Sequence, residues 1–157
     1  MAKKQKGALW LDDTLVRSIY PFGLCITEEQ FWQEVKKLNA PKELFDEGWL
    51  GDTALARLHT ITKPDKRMCR IVCIDDTKLT SMGVIEMLIH EGTHIWQGVR
   101  DDMGEENPSE EFEAYSVQWI VTSLIAGYSK LKDAEKAKKN ANKKAKGQAK
   151  KKKEKAI

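Results

Sequence analysis

The sequence predicts an α+β domain, a small antiparallel hairpin packed on a pair of helices, followed by a disordered basic tail. Three observations lead there. Apolar residues alternate with strand period between Leu58 and Ile74. They recur at helical spacing between Val84 and Val99, and again between Ala114 and Ile125. The charge also divides along the chain: residues 129–157 hold 13 of the 27 basic residues and only 3 acids, a net of +10, whereas 1–128 carry 14 basic and 21 acidic residues, a net of −7. The overall net charge of +3 describes neither part.

Residues 1–128 have the usual size of one domain with a real core. The segment 129–157 is expected to be separate from it. Beyond Leu131 its only strongly apolar residue is Ile157, so it cannot bury enough surface to offset the entropy of ordering. Alanine and lysine permit transient helix there, but no apolar stripe fixes a helix against the body.

Within the body, residues 8–26 contain apolar clusters around a turn signal at Tyr20-Pro21-Phe22-Gly23 and are expected to be mixed or loop-like. Thr27-Glu28-Glu29-Gln30 is a capping-box pattern opening a helix through Phe31, Trp32, Val35 and Leu38, which Pro41 ends. Leu58, Thr60 and Thr62, then Cys69, Ile71 and Cys73, alternate around the polar turn Lys63-Pro64-Asp65-Lys66 and predict a β-hairpin. Cys69 and Cys73 then share one strand face, which suits core packing better than metal ligation. Thr80 or Ser81 caps a long helix expected to stop near Gly98, and Pro108 suits the first turn of another helix running to about Gly127. The five tryptophans are too dispersed for a stacking platform and read as core, and His59 reads as structural.

An odd number of cysteines argues against a disulfide framework and fits a reducing compartment, so a cytoplasmic location is expected. No signal peptide is readable, because Asp12-Asp13 interrupts the first apolar run. No stretch approaches a membrane span, and no membrane partner is expected.

His90-Glu91-Gly92-Thr93-His94 fits H-E-x-x-H. On a helix, residues four apart lie one turn above each other, so both imidazoles can reach one Zn2+ while Glu91 stands beside the open coordination position. Zinc lowers the pKa of its bound water towards about 7, and an adjacent carboxylate can take the proton as that water attacks a polarised carbonyl. Chance produces this pattern on the order of once in a few hundred chains of this length. Val84, Leu88, Ile95 and Val99 form an apolar side with Ile85, Ile89 and Trp96 nearby, and the histidines lie opposite with Glu86 and Gln97.

A third protein ligand is required for a tetrahedral site with one water. No third histidine follows, which excludes H-E-x-x-H-x-x-G-x-x-H. The acidic candidates are Glu110, Glu111 and Glu113. Glu111, Tyr115, Gln118 and Thr122 fall within one polar stripe of an otherwise apolar helix, and a stripe facing the histidines would bring Glu111 to the metal. Glu110 lies nearer the aliphatic face and is the second choice, while Glu113 points away.

The run His90 to His94 followed by Glu111-Phe112-Glu113-Ala114 resembles the gluzincin group of zinc metallopeptidases, especially minimal members with H-E-x-x-H and a later E-x-x-A. The phrase from Leu88 to Gln97, with Glu111 to Tyr115 and Gln118, is similar to small zinc metallopeptidases of tailed phages and prophages. The similarity covers about 40 residues. It implies a minimal zincin-like domain over 1–128, His90, His94 and Glu111 as zinc ligands, Glu91 as general base, a bacterial host cytoplasm, and an edge strand on which an extended peptide pairs, here the 58–75 hairpin. Many gluzincins place an Asp where this chain has Tyr115. A phenol can hydrogen-bond an imidazole but adds no negative charge. Tyr115 and Gln118 are the candidates for orienting a histidine or stabilising an oxyanion, with Tyr128 a further phenol for the oxyanion.

Three functions follow as expectations. The first is a zinc-dependent hydrolase cleaving peptide bonds in a peptide or protein substrate. The second is a zincin scaffold with little or no activity that acts by binding, for instance on a host protein. The third is nonspecific binding of nucleic acid, or of an acidic partner, through the lysines of 129–157.

Overall fold

The computed structural model describes residues 8–11, 21–63 and 67–154. They form a four-stranded sheet with one helix on one face and two on the other. In chain order the elements are β1 (Leu9–Trp10), β2 (Phe22–Cys25), α1 (Glu28–Lys37), β3 (Ala56–Thr62), β4 (Met68–Ile74), α2 (Ser81–Met103) and α3 (Glu110–Glu154), with 3₁₀ turns at Lys42–Leu44 and Asp76–Lys78. The strand order is β1-β2-β4-β3. β3 and β4 are the antiparallel hairpin that the alternation predicts, Leu58 opposite Val72.

The sheet is larger than a hairpin because β2 lies parallel to β4, with Leu24 beside Val72, and β1 pairs antiparallel to β2. Residues 8–26 are therefore partly strand, the mixed alternative of the expectation and not the loop. Phe22 and Gly23 belong to β2 and not to a turn, while residues 12–20 lie outside the described residues. All four β2 residues are buried, so this central strand carries no in-out alternation to reveal it.

The two sheet faces have separate cores. Phe22, Leu24, Val72 and Ile74 pack under α2 and α3, and Cys25, Cys69, Ile71 and Cys73 pack against Phe31 and Val35 of α1. The cysteines are thus core residues, fully buried and unbridged. Thr27 caps α1 as its sequence indicates, its hydroxyl accepting from Gln30 N at 3.2 Å while Gln30 Oε1 accepts from Ile26 N at 2.8 Å. Of the described tryptophan side chains, Trp96 is fully buried and the others are half-buried.

Both long helices outrun their expected ends. α2 passes through Gly98 and stops at Gly104, which takes the left-handed conformation (φ 67°). Gly98 serves packing instead. A Cβ there would lie 2.7 Å from Nη2 of Arg70, a buried residue paired with Asp102. α3 starts after Pro108, at Glu110, with Ser109 Oγ accepting from Phe112 N at 3.3 Å. It then runs through Gly127, which lets Leu11 approach within 2.8 Å of a Cβ position, and continues to Glu154. No helix of the described residues is long and apolar enough to cross a membrane.

α3 crosses the expected boundary at 128–129 without a break, and its first turns beyond that point are packed. Leu131 is part of the main core. Asp76 accepts from the Tyr128 hydroxyl at 2.6 Å and from Lys132 Nζ at 2.7 Å, and Lys132 also meets Glu135 at 3.0 Å. The physical reason is cooperativity. Nucleation is the costly step in helix formation, and the packed segment 110–131 supplies the nucleus, so good formers such as Ala, Lys, Gln and Glu propagate it one residue at a time.

His59 is structural, as expected. It stacks near Phe31 at 4.6 Å between ring centroids, and its Nε2–H donates to the Trp49 carbonyl at 2.8 Å. Burial holds its pKa below the usual 6.5, outweighing the raising effect of the hydrogen bond. A histidine depressed in the folded state makes the unfolded chain bind more protons below its ordinary pKa. Its contribution to stability is therefore full above pH 6.5 and declines as pH falls through the folded value. The wild type should lose urea midpoint between about pH 7 and 5 more steeply than His59→Gln, the difference between the two slopes being the histidine's share.

Candidate metal centre

α2 presents the H-E-x-x-H segment at its middle. Val84, Leu88, Gly92, Ile95, Trp96 and Val99 are buried, and His90, His94 and Gln97 lie exposed on the far side. The apolar and polar sides read from the sequence are reproduced, apart from Ile89, which is exposed. The two imidazoles converge: Nε2 of His90 and Nε2 of His94 are 3.1 Å apart, with ring centroids at 4.7 Å and planes at 86°. His94 Nδ1 bonds Gln97 Oε1 at 2.8 Å. An amide oxygen only accepts, so this Nδ1 carries the proton and His94 Nε2 offers a lone pair, into which His90 Nε2–H donates.

Glu91 turns towards the sheet. It is buried, at 5% exposure, and its carboxylate accepts from the backbone N–H of Leu58 in β3. Burial raises its pKa, opposed by the two histidines and by that N–H. β3 is an edge strand. The backbone bonds Lys63 N to Arg67 O and Asp75 N to Leu55 O fix the odd-numbered positions as those facing β4. Ala56, Leu58, Thr60 and Thr62 then present their N–H and C=O groups to the open edge. Glu91 occupies one of these groups, the Leu58 N–H.

α3 does not approach the histidines. It packs on the other flank of α2, where a Cβ on Gly92 would lie 2.9 Å from Val121 Cγ2 and 3.4 Å from Leu124 Cδ1. Its buried positions are Ser116, Ile120, Leu124, Gly127 and Leu131. Glu111, Tyr115, Gln118 and Thr122 do form one stripe, but that stripe is exposed and opposite the core, with Tyr115 at 60% exposure. Glu111 is therefore not brought to the metal position, and Tyr115 and Gln118 are not brought to an imidazole or an oxyanion. Glu110, the second choice, is also exposed. Tyr128 is taken up by Asp76. Glu113, expected to point away, faces α2 and accepts from Trp96 Nε1 at 2.8 Å.

Two partners escaped the sequence reading. Gln97 was legible as a member of the histidine stripe, since a residue three positions after His94 shares its face, but its bond to Nδ1 required the rotamers. The Leu58 N–H had no local signal at all, because it meets Glu91 across 33 residues of chain.

No protein-family model, curated protein or solved structure matches this chain. Its chemistry must be judged from the donor set. Tetrahedral zinc with Zn–N distances near 2.0–2.1 Å requires nitrogens about 3.3–3.4 Å apart. The histidine pair, at 3.1 Å, fits two vertices once the His90 proton moves to Nδ1 and frees Nε2. The Gln97 bond already holds His94 in the ligating tautomer. Among the described residues no group of three His, Cys, Asp or Glu is placed to hold a metal. The fit is to two ligands.

The opposite placements of Glu111 and Glu113 give a direct test. Glu113→Ala leaves the buried Trp96 indole N–H without its acceptor and should cost about 1–3 kcal/mol. Glu111→Ala should stay within about 0.5 kcal/mol of wild type in the same urea titration followed by tryptophan fluorescence.

Proposed function

We propose that this chain is a zinc-dependent hydrolase acting on peptide bonds, with His90 and His94 as metal ligands and Glu91 as general base. The observation that carries the reading is the convergence of both Nε2 atoms next to a buried carboxylate anchored on an open strand edge. Bound zinc supplies a Lewis acid and a water acidified towards about pH 7.

The chain's own residues supply the rest. Gln97 fixes the His94 tautomer, and the Leu58 N–H orients Glu91. Burial makes the Glu91 carboxylate more basic than an exposed one, as suits a group that must accept a proton from water and return it to a leaving amine. The outward N–H and C=O groups of β3 suit an extended peptide, added as a further strand with its backbone beside the base. With His90 and His94 alone to hold it, zinc would be bound more weakly than in a three-ligand site.

That incomplete ligand set favours a second reading, a zincin-like scaffold that binds an extended peptide on β3 without cleaving it. Metal analysis and peptidase assay separate the two. On the hydrolase reading, His90→Ala and His94→Ala lose zinc, Glu91→Gln keeps zinc but loses at least about 100-fold in cleavage rate, and Glu111→Ala and Glu110→Ala retain wild-type zinc content. Peptide binding with no cleavage by zinc-loaded wild type, unchanged in Glu91→Gln, would instead establish the scaffold.

A further inference from the structure

The C-terminal half of α3 has no role in the metal centre, and the continuous helix gives its lysines an order that the bare sequence conceals. Ten of the 18 residues from 136 to 153 are lysines, and none is acidic. Six of them, Lys136, Lys139, Lys143, Lys146, Lys150 and Lys153, follow one another at steps of three, four, three, four and three. On a helix this spacing keeps them within an arc of about 100°, along a line about 25 Å long. Lys132, one step earlier on the same line, is held by Asp76 and Glu135. Residues 136–142 are all exposed.

The geometry points to a docking ridge for double-stranded nucleic acid, bound through its phosphates without sequence preference. The composition selects this partner. A helix that docks in a protein groove presents apolar anchors at positions such as i, i+3, i+4 and i+7, and protein interfaces are depleted of lysine. A helix lying on a membrane needs an apolar face. Residues 132–153 contain no apolar side chain larger than alanine, so neither kind of partner has anything to grip. Single strands are held largely by stacking on aromatic rings, and no aromatic residue follows Tyr128. What remains is a row of point charges. That suits the duplex backbone, with one negative charge per about 1.7 Å of axis and a major groove about 12 Å wide, close to the diameter of one helix. The −7 of residues 1–128 confines this attraction to the helix end.

The test uses the full chain and labelled DNA duplexes of about 30 bp in two unrelated sequences, titrated by fluorescence anisotropy across NaCl concentrations. Both sequences should bind alike, with log K falling linearly in log salt. Lys139→Gln, Lys143→Gln, Lys146→Gln and Lys150→Gln combined should flatten that slope by about 3 to 4, near 0.9 for each lysine removed, and weaken binding more than tenfold at about 0.1 M salt. Removing the same charge off the ridge, by Lys138→Gln, Lys144→Gln, Lys151→Gln and Lys152→Gln, should change the slope by less than half as much. Circular dichroism checks that both variants keep their helix. Equal effects of the two sets would overturn the ridge. Absence of duplex binding at about 50 mM salt, or competition by polyglutamate as effective as by unlabelled duplex at equal charge, would overturn the nucleic-acid partner.

Discussion

The close approach of α2 and α3 at Gly92 is the constraint on which the rest of the arrangement depends. A methyl group there would come within 2.9 Å of Val121 Cγ2, closer than packed carbons approach, so only glycine lets the two backbones come this near. Gly92 is also one of the two unspecified positions of H-E-x-x-H. The segment that carries the histidines thus also carries the contact that seats the following helix. With α3 seated on that flank, His90 and His94 are left exposed on the opposite side of α2, while Glu91 between them meets Leu58 of β3.

That placement explains why the candidate metal centre divides into a part that matches its expectation and a part that does not. Everything contributed by α2 itself is in position: His90 and His94 one turn apart, Gln97 on the next turn, Glu91 rotated towards the sheet. Everything expected from α3 is displaced. Glu111, Tyr115 and Gln118 share a stripe, but the side of a helix that faces a neighbour is chosen by its apolar residues. Ile120, Leu124 and Leu131, with Ser116 and Gly127, turn that stripe to solvent. Glu113 meets α2 instead, as an acceptor for Trp96.

In the same helix, a segment with no core of its own continues one that is packed. The lysine-rich segment has no core to form and would not fold in isolation. Attached to a helix already nucleated by packing and pinned by Asp76 to Tyr128 and Lys132, it needs only to propagate, and its alanines and lysines do so readily. Its mutual repulsion is the opposing cost, which counterions or a polyanion would relieve.

The sequence by itself determined what depends on neighbours along the chain: the Thr27 cap, the β3–β4 hairpin, the burial of Cys69 and Cys73, the amphipathic α2, and the stacking of His90 on His94, because four residues of helix make one turn whatever surrounds it. Tertiary structure decided what depends on which surfaces meet. It placed β2 at the centre of the sheet, gave Leu58 to Glu91, set Gly98 against Arg70 and Gly127 against Leu11 where chain stops were expected, and turned Glu111 outward. These outcomes were illegible for one reason. Helical periodicity tells which residues share a face, but the direction of that face is set by close packing between segments far apart in the chain, and no local pattern encodes it.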